Sequence, residues 1–294
     1  DGSPVNLTNA NGTLFFTADD GTHGTEIWKS DGSTAGTVLV KDIYAGTNTS
    51  DIKNKTVING TVFFTASDGI SGTELWKTNG TAAGTVMVKD INAGPANSSP
   101  DGLFNLNGVL FFYANDGVHG QELWKSDGTA AGTVMIKDIY AGSASSLPYV
   151  FAGMNGVVYL AASDASHGRE LWRSDGTDAG TLLVKDMWPG TGAGFPALLL
   201  ADNGIMYLQG NDGTTGTELW KSDGTQTGTV LVKDIKPGSD GSYPFGMVKL
   251  GNAFYLSVIE PVYGQELWKT DGTAAGTVLV KDIWPGSNSG TPQE

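Results

Sequence analysis

The sequence predicts an all-β fold: a six-bladed β-propeller with four antiparallel strands in each 48-residue blade. Three observations carry the expectation. Trp28, Trp76, Trp124, Trp172, Trp220 and Trp268 recur at a constant interval of 48 residues, and a fixed period of that length is a mark of repeat architectures. Each unit holds short runs rich in β-branched and aromatic residues, separated by Asn-Gly or Asp-Gly punctuation. No window carries a helical period.

The repeat runs without insertion or deletion. Its phrase is Gly-Thr-Glu-Ile-Trp-Lys-Ser-Asp-Gly at 24–32, Gly-Gln-Glu-Leu-Trp-Lys-Ser-Asp-Gly at 120–128 and Gly-Gln-Glu-Leu-Trp-Lys-Thr-Asp-Gly at 264–272. One domain over 1–294 is expected, with blades at approximately 1–48, 49–96, 97–144, 145–192, 193–240 and 241–288. The last six residues begin the phrase again, Pro292 falling in register with Pro4.

Within the first unit, residues 5–10 read as a strand, Asn11-Gly12 as a two-residue hairpin, and 13–19 as a second strand rich in β-formers. Asp20-Gly21 and Gly24 turn the chain into 25–30, the Trp strand. The loop Asp31-Gly32-Ser33-Thr34-Ala35-Gly36 leads to a fourth strand over 37–43, and a longer connector from Tyr44 enters the next unit. Because that connector precedes the first strand, the first strand is expected at the axis and the fourth at the rim. Both faces of a blade should pack on neighbours, which accounts for the consecutive apolar residues Leu14, Phe15 and Phe16. The expected ring closes on itself, whereas an open array would leave one such face bare at each end.

Composition narrows the function. Of 294 residues, 43 are glycine, there is no cysteine, and the formal net charge is −14. Disulfides, thiolate metal sites and cysteine nucleophiles are excluded. The charge argues against nucleic acid, which needs clustered Lys and Arg. Most of it belongs to the repeated positions of Asp20, Glu26, Asp31 and Asp42, and so is spread through the scaffold. No apolar run approaches the ~20 residues of a membrane-spanning helix, so no membrane insertion is expected. The sequence opens at Asp1 without an initiator Met or a leader, as expected of a mature secreted product or of a piece of something longer.

The phrase Glu-Leu-Trp-Lys-x-Asp-Gly-Thr-x-x-Gly-Thr-x-x-Val-Lys-Asp-Ile-x-Pro-Gly, at 218–238 and 266–286, resembles the bacterial ELWxxDGT repeat family along the whole chain. The resemblance implies a large secreted or surface protein built of propeller-type repeats, and no defined catalysis. Asn79 replaces the Asp in blade 2, and Ala45, Ala93 and Ala141 stand where later blades have Pro. Neither change threatens the fold. An extracellular or cell-surface location follows as an expectation, with a monomeric ring or part of a larger chain as the assembly.

Positions shared by all blades are expected to hold the scaffold. Glu26, Lys29 and Asp42 read as hairpin caps and ion pairs between neighbouring blades. The Trp series reads as inter-blade filling with its N–H bonded locally. Asp31-Gly32 reads as turn chemistry. Function is expected where blades differ. One such register, in the turn between second and third strands, carries His23, Ser71, His119, His167, Thr215 and Tyr263. A single metal bridging the three histidines is disfavoured, since zinc–nitrogen bonds are only ~2.0–2.1 Å long and the turns lie on different blades. Calcium is the one ion for which Asp19-Asp20-Gly21 offers oxygens, but the alternating carboxylates of a dedicated loop are missing.

A second register follows the rim strand and holds Tyr44, Asn92, Tyr140, Trp188, Lys236 and Trp284. It should emerge on the same face as the histidine turn. Two readings stand side by side: aromatic platforms for sugar rings, or plugs in the gap between adjacent blades. A third region is the first strand, with Lys53, Lys55, Asp101, Asp202 and Lys249. Its two carboxylates fall at different levels, so a lone salt bridge is expected there rather than a glycosidase pair. No Walker loop, zincin helix or serine elbow appears, and Arg169 with Arg173 is too few for a sialidase clamp.

The expected function is therefore a non-catalytic extracellular module that binds a glycan or a surface partner. Its candidate ligand-binding residues are Tyr44, Tyr140, Trp188, Trp284, His23, His119, His167 and Tyr263, with no catalytic or metal residues. The alternatives are a structural or spacer module of a larger adhesin and, more distantly, a polysaccharide-active enzyme.

Overall fold

A computed structural model describes residues 2–287 and 289–290. Pro292, the residue in register with Pro4, lies outside them. The described residues form six four-stranded antiparallel sheets, each with its strands in sequential order, and no helix. They are the blades of a six-bladed β-propeller, one blade per 48-residue unit. Blade 1 comprises β1 (Val5–Ala10), β2 (Thr13–Asp19), β3 (Thr25–Ser30) and β4 (Val38–Lys41), and the pattern recurs to blade 6 with β21 (Phe245–Leu250), β22 (Ala253–Glu260), β23 (Gly264–Thr270) and β24 (Val278–Lys281).

The hairpins form where the turn chemistry asks for them. Asn11 and Gly12 both take positive φ, at 51° and 85°, the pair of left-handed residues that a type I′ turn needs. Across β2 and β3 the register sets Phe16 opposite Trp28 and Leu14 opposite Ser30. The fourth strand is shorter than 37–43 because Asp42 leaves the ladder. Its Oδ2 accepts the Gly46 N–H at 3.1 Å and turns the chain into the connector.

Two compact units divide the chain, Asp1–Val150 and Phe151–Glu294. In the first, Phe15, Ile27, Val40 and Ile43 of blade 1 pack on Val62, Phe64, Ala66 and Trp76 of blade 2. Blade 2 repeats this with Phe63, Leu75, Val88 and Ile91 against Leu110, Phe112, Ala114 and Trp124. Neighbouring residues of one strand thus serve opposite interfaces, as side-chain alternation requires, and Phe63 and Phe64 are both buried. In the second unit the same contact joins blade 4 to blade 5 through Tyr159, Leu171, Val184 and Met187 against Met206, Leu208 and Trp220. It joins blade 5 to blade 6 through Tyr207, Leu219 and Val232 against Phe254, Leu256, Val258 and Trp268.

The interfaces of blades 1 and 2, 2 and 3, and 5 and 6 are each stitched by two lysines. Lys29 Nζ donates to the Gly80 carbonyl at 2.7 Å and Lys41 Nζ to the Thr85 carbonyl at 2.8 Å. Lys77 and Lys89 repeat this on Gly128 and Thr133, and Lys221 and Lys233 do so on Gly272 and Thr277. The expected inter-blade ion pairs are therefore replaced by lysine-to-carbonyl bonds. The reason is that the facing glutamates are consumed elsewhere, as described below. Lys41, Lys89 and Lys233 also stand 5.7 Å over the rings of Trp76, Trp124 and Trp268, a cation–π geometry.

The expectation of locally bonded indoles holds only for Trp28, whose Nε1 donates to the Ala18 carbonyl at 3.1 Å. The Nε1 atoms of Trp76, Trp124, Trp172, Trp220 and Trp268 are buried without a hydrogen bond. For Trp76, Trp124 and Trp268, packing beneath the preceding blade's lysine sets the ring instead.

Candidate functional site

The glutamate of each Glu-Leu-Trp phrase is fully buried, and its carboxylate caps the connector that follows its own blade. Glu74 accepts the N–H groups of Ile91 at 2.9 Å and Ser98 at 3.0 Å, and the Ser98 hydroxyl at 2.5 Å. Glu26 accepts from Ile43 and Tyr44 and from the Ser50 hydroxyl. Blades 4 and 6 have glycine at the serine register, and there the backbone does the work: Gly194 and Gly290 donate to Glu170 and Glu266 at 2.6 and 2.8 Å. Burial pushes Glu74 and Glu170 up to about 7 in spite of these donors, and it raises Glu26, Glu122 and Glu218. Sequence reasoning missed this role because the partners are backbone amides 17 to 24 residues away. The available signal was the Ser or Gly recurring 24 residues after each Glu.

With its connector anchored, each blade presents the residue after the rim strand beside its histidine-register turn. The Ser50 N–H donates to the Thr25 carbonyl at 3.2 Å and Ser146 repeats this bond on Gln121 at 3.1 Å, while in blades 2 and 5 the next residue, Ser99 or Tyr243, donates to Thr73 or Thr217. Connector and turn therefore emerge on one face, as expected. The turns themselves are closed by an aspartate. Asp20 Oδ1 accepts from the N–H groups of Thr22 and His23, and its Oδ2 pairs with His23 Nδ1 at 2.7 Å. His119 pairs with Asp116 at 2.7 Å and His167 with Asp164 at 2.9 Å. The bond to Asp20 raises the affinity of His23 for its proton, and His119 and His167 are raised likewise by Asp116 and Asp164. In return the His23 bonds hold Asp20 down, to about 2.

These aspartates spend their oxygens on their own turns, and among the described residues no group of three or more His, Asp or Glu side chains gathers to hold a metal. In blade 6, Glu260 substitutes for the aspartate and accepts from Val262 and Tyr263 at 2.9 and 3.1 Å. The divergent turn keeps its closure.

The aromatic register contains both features weighed from sequence. Within the first unit, a Cβ on Gly69, at φ +76°, would run into the Tyr44 phenol, so Tyr44 lies on the turn of the next blade. Within the second unit Trp188 is wedged between Gly192 of its own connector and Gly213 of the next blade's turn, and the atoms nearest both glycines belong to its pyrrole ring. The indole is nevertheless 37% exposed, and Trp284 is 59% exposed. Tyr44 and Tyr140 are half-buried, as are His23, His119 and His167, and Tyr263 is exposed. The rings of Tyr44 and Trp188 are thus seated on a turn, and that of Trp188 is open on its other side. Beside Trp188, His167 Nε2 stands 3.9 Å from Asp186 Oδ2. His167 and Asp186 also line a cavity of about 490 Å³ with Arg173, Thr225 and Gln226.

On the first strands, Lys249 pairs with Asp202 at 2.6 Å, joining blades 5 and 6, which is the lone salt bridge expected there. Asp101 is turned onto the N–H of Gly102. Lys55 is buried without a partner, and burial lowers it to about 8.

No family model matches the chain, and no characterised protein matches it in sequence. Its fold is similar to that of a prolyl endopeptidase, at a TM-score of 0.53 and 10% identity, over 95% of this chain and 43% of that one. It is similar also to a puromycin hydrolase complexed with PGG (TM-score 0.46, 16% identity, 95% and 46% coverage) and to the computationally designed Ika8 protein (0.48, 13%, 95% and 74%). The chain spans less than half of either hydrolase. The endopeptidase likeness, over a propeller-like domain, shows the fold alone.

Proposed function

We propose that the protein is a non-catalytic, extracellular or cell-surface binding module of the ELWxxDGT type, and that it recognises glycans through the face bearing its inter-blade connectors. One observation carries the reading. Trp188 is fixed by Gly192 and Gly213 yet stays 37% exposed, so a seated indole faces solvent beside hydroxyls and the hydrogen-bonded His167–Asp164 pair. A sugar ring presents an apolar face with hydroxyls at its edge, and such a platform matches both. Tyr44, Tyr140 and Trp284 repeat the platform on other blades, with His23, His119 and Tyr263 on the accompanying turns. Several weak sites gain through multivalency.

A glycan-array screen of the wild type and of Trp188→Ala/Trp284→Ala tests this. Binding of a defined glycan set that is lost in the double variant is expected. Equal signals from the two proteins on every glycan would refute it.

A further inference from the structure

The interface of blades 4 and 5 departs from the stitched pattern. At the registers of the two stitching lysines it carries Arg173 and Lys185. Among the described residues, neither side chain bonds to the carbonyl of Gly224 or Thr229, the equivalents of Gly80 and Thr85. Tyr159 is not the cause. It brings its hydroxyl against Gly224, but Tyr207 does the same at Gly272, where Lys221 still donates to the carbonyl at 2.9 Å. The difference is the arginine, whose planar fork of donors does not substitute for one compact ammonium aimed at a single carbonyl. Asp175 feels the Arg173 charge but spends its Oδ1 on the Thr177 N–H and hydroxyl, at 2.8 and 2.7 Å. Among the described residues the guanidinium has no ion-pair partner.

Where the stitches are missing, the interface is open. A cavity of about 490 Å³ runs there along β16 (Leu182–Lys185), a size within the ~300–1,000 Å³ of small-ligand sites. Arg173, paired with Leu182 across the sheet, marks one end together with Gln226, and Asp186 with His167 marks the other. Leu182 and Leu183 give the wall between them an apolar strip, Leu182 being 43% exposed.

These groups select a ligand. A guanidinium fork matches a carboxylate through two parallel bonds, the Gln226 amide can both donate to and accept from hydroxyls, and the leucines suit the apolar face of a sugar ring. Asp186 at the far end disfavours a second anion, and a chain of net charge −14 repels polyanions. We propose that this cavity takes a single uronate residue of an otherwise neutral glycan, with its carboxylate on Arg173. The assignment rests on the glycan reading above and names the class of glycan. The cavity reaches Asp186, two residues before Trp188 in the chain, so a neighbouring sugar of the same ligand meets the indole.

The test is calorimetric titration of the intact chain with a glucuronate-bearing trisaccharide and with the same trisaccharide after reduction of its carboxyl to the alcohol. The acid form is expected to bind about tenfold more tightly. That preference should vanish in Arg173→Met and in Arg173→Lys, with binding of the reduced form unchanged. Lysine stands at this register in the other five blades, so a loss in Arg173→Lys does not come from unfolding. Equal binding of the two forms by the wild type, binding of neither, or a preference that survives in Arg173→Met overturns the proposal. Trp188→Ala/Trp284→Ala separates it from the broader reading. Loss of both forms in that variant, with no acid preference in the wild type, keeps the aromatic platform and removes the uronate site. An Arg173-dependent acid preference that persists in that variant keeps the uronate site and removes the platform.

Discussion

Lys41 Nζ lies 2.8 Å from the Thr85 carbonyl of the neighbouring blade and 5.7 Å above the Trp76 ring of the same blade. One side chain thus satisfies a buried acceptor and an aromatic face across a single interface. Lys41→Met keeps the aliphatic stem and removes both polar contacts, so it should destabilise the protein by about 1–2 kcal/mol. Urea melts of the variant and the wild type check the difference.

Glu74 ties its connector to the blade through several donors, and the two ways of changing it should separate. Glu74→Ala strands the N–H groups of Ile91 and Ser98 in a buried site and should cost on the order of 3 kcal/mol or more. Glu74→Gln keeps an acceptor oxygen and should cost much less. Chemical denaturation at pH 5 is the measurement. Equal losses in the two variants would contradict the capping role.

The pKa shifts fix the direction of the pH dependence. A carboxyl raised in the folded state binds its proton more tightly there than in the unfolded chain. Glu74 and Glu170, raised to about 7 from 4.5, therefore each give stability that is present below about pH 4.5 and is lost by about pH 7, roughly 3 kcal/mol apiece. The raised histidines act in the same sense, their contribution being present below 6.5 and lost as pH climbs through their folded values. Asp20, lowered to about 2 from 3.8, opposes them only in strong acid. The Tm should peak near pH 4–5 and fall towards pH 8. A Tm that rises steadily from pH 5 to pH 8 would contradict these assignments.

Gly69 tests the seating of the aromatic register. Gly69→Ala meets both the positive φ and the Tyr44 ring, so it should cost about 1–3 kcal/mol. In Tyr44→Ala/Gly69→Ala the steric part should disappear and the φ part remain. A double-mutant cycle with no coupling would mean that Tyr44 does not rest on that turn.

The strands were legible in the sequence because their signals are local. β1, β2 and β3 match the spans read from Asn11-Gly12 and Asp20-Gly21, and the consecutive apolar pair at Phe63 and Phe64 reports the two interfaces directly. The fourth strand was read too long because Asp42, polar but strand-compatible, is recruited by Gly46. At the site, the shared face of turn and connector was legible from topology. The glutamate's role was hidden, since its partners are amides that carry no side-chain signature. The lysines were assigned to ion pairs because a sequence displays charges and not carbonyls, yet Lys29 and Lys41 meet main-chain oxygens.

The central claim is that the seated, half-open indole of Trp188 is a sugar platform. A crystal structure of the protein with the oligosaccharide that binds best on the array tests it most directly. A pyranose ring stacked on the Trp188 face, with its hydroxyls directed to the His167 and Thr215 turns, is the predicted result. A ligand bound on the first strands near Lys55 or Asp202, with Trp188 bare, would contradict the account.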